Sequence, residues 1–126
     1  MMLSSKLRKW YEQATGQEGL KYWCQGCNTP HIVIVSGPGA WGWNGDVERP
    51  VFTPSVLVTG VKQLTNEQHK TYLRDGTLPA AEPMRCQAFV GCNGAQPGEV
   101  IFLGDCTHEL ANQVHPFPDL PEYMRG

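Results

Sequence analysis

The chain lacks any apolar run near the ~20 residues that cross a bilayer, so no membrane span is expected. It also lacks a basic patch. Ten Lys and Arg, scattered along the chain, stand against twelve Asp and Glu, for a formal net charge of -2. Binding that neutralises phosphates needs a basic face, so nucleic acid is not an expected partner. The opening "MMLSSKLRKWYEQ" has neither an apolar signal core nor a small-residue cleavage site, and the reading is therefore a cytoplasmic protein. Repeats, low-complexity tracts and composition breaks are missing too. Residues 1–126 are expected to form one domain, with 1–19 as an N-terminal extension and 116–126 as an extended tail. A hydrophobic share of 40% with 17% charged residues excludes a disordered chain.

What the chain does have is turn chemistry. Fourteen glycines and ten prolines favour short strands over a helix bundle. "LKYWC" (20–24) and "HIVIVSG" (31–37) read as strands around the turn "CQGCNTP". "VFTPSVLVTGV" (51–61) reads as a strand with a proline near its entry. "RCQAFVG" (85–91) and "EVIFLGD" (99–105) read as a hairpin. Leu3, Leu7, Trp10 and Ala14 make a helical stripe, and a helix is the reading taken there over a short strand. The main helix is "TNEQHKTYLRDG", with a Thr65/Gln68 capping box and Gly76 past its end. The expected fold is α+β: a small β-rich domain of short antiparallel strands with a zinc knuckle and one main helix.

Five cysteines without an export signal point to thiols or metal ligands more than to disulfides. Cys24 and Cys27 sit in a Cys-x-x-Cys turn between two strands. Such a knuckle aims two sulfurs and nearby N–H groups at one point, as in zinc ribbons. A redox pair would open a helix, whereas here a strand follows. Further ligands must come from elsewhere. His31 follows Cys27 by four residues, and the hairpin gathers Cys86, Cys106 and His108 at one end. Cys92 reads as an incidental thiol.

Ser55 follows Pro54, which fixes the backbone and could present a hydroxyl rigidly. Serine needs a base within hydrogen-bond reach to act as a nucleophile. His108 is the candidate base, with Asp105 or Glu109 to orient it. From spacing alone Ser55 can equally be a structural serine, and His108 a ligand, a base or a turn residue. Trp41 and Trp43 are either core caps or an aromatic wall beside a site.

Four blocks in order, "WCxGCxxxH", "WxWNGDxxRPxFTPSV", "RCxxFVGCNGAQPG" and "FLGDCTHELA", resemble a family of small, mostly phage and prophage proteins. Its members often carry the label "ammonia monooxygenase", which has no physical basis in these residues. The family is similar to the peptidase of bacterial ubiquitin-like conjugation operons. The resemblance implies a structural zinc held by Cys24, Cys27, Cys86 and His31, with Cys106 or His108 as alternatives to His31. It also implies a hydrolase site in which Ser55 attacks a carbonyl, His108 accepts its proton and Asp105 orients the ring. The partner would be a protein or peptide, and the setting the cytoplasm of a bacterial host cell if the chain is phage-encoded. One departure stands out. The family reads Cys-His-Ser-Phe where this chain has Cys86-Gln87-Ala88-Phe89, which makes an impaired or repurposed copy an expectation. The competing expectation is a non-enzymatic zinc module that binds a host or phage protein.

Overall fold

A computed structural model describes residues 2–62 and 64–125. Two antiparallel sheets carry the fold. The first has β1 (Arg8–Tyr11), β2 (Glu18–Cys24) and β3 (Thr29–Ile34) in the order β1-β2-β3. The second has β4 (Gly42–Trp43), β5 (Phe52–Val61), β6 (Pro83–Val90), β7 (Glu99–Phe102) and β8 (Val114–Pro116) in sequence order. The helices are α1 (Asn66–Asp75) and the short α2 (Glu122–Arg125). The molecule is thus mostly β and not α+β. Among the described residues neither helix holds a buried side chain, and the two sheets share one core.

Strand alternation explains the packing. In β2 Leu20, Tyr22 and Cys24 are buried, and in β6 Cys86, Ala88 and Val90 are. These period-two sets face inward and join Val33, Phe52, Val56, Val100 and Phe102 in one core between the sheets. The Tyr22 ring lies 5.9 Å from that of Phe52 and 5.3 Å from that of Phe117. Burying several such side chains, each contributing roughly 1.5–3 kcal/mol, joins the two sheets into one unit.

The helix expected over Leu3–Tyr11 is instead a turn followed by β1. Leu3 and Leu7 do face the core, but Leu7 N–H and Ser4 Oγ close a local turn, and Trp10 pairs with Gly19 across β1 and β2. The stripe was real, and a bent extended chain satisfies it as well as a helix does. The segment before residue 20 therefore supplies an edge strand and the fully buried Leu7. In the C-terminal segment, Phe117 and Leu120 are buried before α2 begins. Helix α1 forms as the sequence predicts: Thr65 and Gln68 close the capping box, and Gly76 takes a left-handed φ of 71°.

Candidate metal centre and serine site

The β2–β3 turn brings the first two sulfurs together. Asn28 donates to the Cys24 carbonyl at 2.9 Å with a φ of 54°, and Cys27 N–H points at Cys24 Sγ at 3.4 Å. An N–H aimed at a sulfur favours the thiolate. His31 enters from β3 and Cys86 from β6, with Cys24 Sγ and Cys86 Sγ 3.8 Å apart. The ligand atoms of Cys24, Cys27, His31 and Cys86 all lie within 4.8 Å of one another. His31 is 4% exposed, and its Nε2 has no hydrogen-bond partner among the described residues. A buried orphan nitrogen is costly unless something fills its lone pair or takes its proton, and three sulfurs stand where a cation would do the former. The donor set of three thiols and an imidazole suits a closed tetrahedral site. These residues fit a metal ion, and they come from both sheets.

The thiols also titrate as a coupled group. Hydrogen bonds from Cys27 and Cys86 push Cys24 down, so its proton leaves first. The hydrogen bond that Cys27 gives to Cys24 pushes it up to about 12, and hydrogen bonding to Cys24 and Cys27 raises Cys86 as well. One negative charge thus keeps protons on its neighbours, and a divalent cation would replace those protons.

Cys86, Cys106 and His108 form a second group within 4.8 Å, as the hairpin reading predicted. His108 Nδ1 accepts from Leu110 N–H at 3.2 Å. In the neutral ring the proton must then sit on Nε2, which faces Cys86 Sγ at 3.4 Å. His108 is therefore placed to donate to a ligand sulfur. Its ring packs edge-on against Phe102 and over Gly26, where a Cβ would collide with it.

Ser55 lies on the other face of the second sheet. Its Oγ accepts from Gln87 Nε2 at 3.3 Å, and its carbonyl accepts from Trp41 Nε1 at 2.7 Å. Cys92 Sγ donates to the carbonyls of Phe52 and Pro54, bracing the chain just before Ser55. Asp105 pairs with Arg85 at 2.6 Å. The structure brings the four expected metal residues together. Among the described residues, however, no hydrogen bond joins Ser55 to His108 or His108 to Asp105. The pleat is the reason. Cys86 and Gln87 are consecutive in β6 and point to opposite faces, so a group touching Cys86 is kept from a serine touching Gln87. The buried, half-buried alternation of Cys86, Gln87, Ala88 and Phe89 in the structure follows this pleat. Of the two expected roles for Trp41, core cap or wall beside a site, its bond to the Ser55 carbonyl fits the second, while nothing in the sequence marked Cys92 as a neighbour of Ser55.

Residues 4–81 match the profile of the bacterial ubiquitination-like system serine protease family (BubE). The chain belongs to the BubE family. The matched segment holds Cys24, Cys27, His31 and Ser55, while Cys86, Gln87, Asp105 and His108 lie beyond it. No curated protein and no solved structure matches the chain. No helix among the described residues is long and apolar enough to cross a membrane. A cleft of about 840 Å³ is lined in part by Cys27, His31, Met84 and His108, so the candidate metal site borders an open groove.

Proposed function

We propose that this chain is a BubE-family domain that binds ubiquitin-like conjugates in the cytoplasm of a bacterial host, with its peptidase chemistry attenuated at Ser55. Its metal is zinc, held by Cys24, Cys27, His31 and Cys86. When bound, zinc supplies structural cross-linking of the two sheets. Ser55 is the nucleophile position, and the protein substrate presents a carbonyl to it from the outer face of the second sheet.

The observation that carries the attenuation is the contact from Gln87 Nε2 to Ser55 Oγ. An amide nitrogen donates a hydrogen bond but has no lone pair to take the serine proton at neutral pH. A base in this place would accept that proton as Oγ attacks, then return it to the leaving amine. The resemblance puts a histidine at position 87, and glutamine keeps only its hydrogen bond. His108 serves the sulfur cluster in this reading, and Asp105 serves Arg85.

The test is cleavage of a ubiquitin-like protein fused through its C-terminus to a reporter. General-base catalysis contributes ~10²–10⁴-fold, so Gln87→His should raise cleavage by at least about 100-fold. That gain should vanish in Gln87→His with Ser55→Ala. Ser55-dependent cleavage by the wild-type chain as fast as by Gln87→His would contradict the proposal.

A further inference from the structure

Strand β5 has an open edge beside Ser55. On one side β6 pairs with it as far as Val61, while on the other β4 covers it only at Phe52 and Thr53. Main-chain polarity alternates along an antiparallel strand. Lys62 donates to the Glu82 carbonyl, which places Gly60 with Met84 and Val58 with Cys86 among the bonded pairs. Leu57, Thr59 and Val61 must then turn their N–H and C=O groups away from β6. The partner strand has the matching phase, since Arg85 and Gln87 bond on their far side to Thr107 and Leu103. Trp41 takes the Ser55 carbonyl at the start of this edge. Beyond it, Leu57, Thr59 and Val61 have no partner on that side among the described residues.

Natural edge strands are guarded by lysine, proline, bulges or a covering segment. "VLVTGV" (56–61) contains neither charge nor proline, and Leu57 and Val61 are 42% and 59% exposed. We infer that the β5 edge from Ser55 to Val61 is a docking strand for an extended, uncharged peptide tail, which adds to the second sheet beside the Ser55 hydroxyl. Main-chain bonds to Leu57, Thr59 and Val61 supply affinity, and side chains of the tail lie against Leu57 and Val61 on the serine face. The edge favours a tail over a second copy of the chain by its length. Leu57 to Val61 spans roughly 14 Å, and a two-fold pairing of so short a stretch falls well below the ~1,200 Å² of a stable interface. This inference deepens the function proposed above and rests on it for the role of Ser55.

The probe is a fluorescein-labelled ten-residue peptide of alternating valine and threonine, flanked by lysines, with a twin N-methylated at alternate residues. Both are titrated into the Ser55→Ala protein, so binding is read without hydrolysis. Hydrogen exchange of Leu57, Thr59 and Val61 should slow at least about tenfold with the plain peptide, and the N-methylated twin should neither bind nor protect. Thr59→Pro removes an N–H that the β6 ladder does not use, and should weaken binding at least about tenfold. Equal binding of the twin, or protection confined to another strand, would overturn the inference. So would protection of these amides by self-association without peptide, seen as a dimer in sedimentation. Gln87→His cleavage surviving any of these results would leave the reading of Ser55 standing and remove only the docking strand.

Discussion

Cys86 and Gln87 sit side by side in β6, one buried at the sulfur cluster and the other half-buried against Ser55. Their opposite orientation gives His108 a sulfur as its partner and gives Ser55 an amide. Outer-shell donors tune a metal site by about 10–100-fold in affinity. With the proposed zinc bound, His108→Ala should therefore retain it while losing affinity on that scale in competition with a chelator. Complete loss of zinc would make His108 a ligand. Loss of cleavage in the Gln87→His background, with zinc retained, would make it a base. At this scale the sequence was informative about which residues matter and silent about which of them meet. Cys-x-x-Cys on a strand turn is a local signal. The meeting of Ser55 with Gln87 depends on a register between strands 32 residues apart. The extra residues between Phe52 and Val56, where that register shifts, are invisible without the pairing.

Among the elements, α1 is the one written most plainly in sequence, because its signals are local: a capping box, a left-handed glycine cap, Glu67 in the first turn and Arg74 in the last. Losing an N-cap costs about 1 kcal/mol, yet α1 buries nothing. Thr65→Ala should thus speed amide exchange within α1 and leave the global Tm unmoved; a lowered global Tm would mean that α1 is coupled to the core. The N-terminal segment was harder to read, because Leu3 and Leu7 reach the core from a turn whose partners are distant. Ser4 Oγ donates to the Val47 carbonyl, and Leu120 N–H donates to the Ser5 carbonyl. Asp119 completes this junction. The Ser5 hydroxyl, then Lys6, hold its carboxyl below the ordinary value near 3.8. A depressed carboxylate contributes stability that is present above its unfolded pKa and lost as pH falls through the folded one. Protection of the Leu120 amide, taken against its intrinsic exchange rate at each pH, should accordingly fall only below about pH 3.8, and Asp119→Asn should show that lower protection already at neutral pH. An unchanged Leu120 amide across that range would detach Asp119 from the junction.

At the scale of the whole molecule, two small sheets share one core and one ligand cluster. Cys24, Cys27 and His31 belong to the first sheet and its turn, and Cys86 to the second. A domain of this size buries limited apolar surface, and structural zinc can add ~10–16 kcal/mol of apparent binding energy. The β-rich character was evident from glycine and proline content. The pairing of sheets was not, because helices that bury no residue give the same sequence signal as helices that cover a sheet. The pleat turns one face of β6 inward to sulfur and leaves the other open beside Ser55, and the proposed zinc would clamp together the two sheets that hold this arrangement. The most direct test is therefore the zinc content of the intact chain by native mass spectrometry, beside Cys86→Ser. The account predicts about one zinc per wild-type chain and none in Cys86→Ser, with the variant's sheets separating in hydrogen exchange. A zinc-free wild-type chain that keeps full thermal stability, or a Cys86→Ser chain that keeps its zinc, would contradict it.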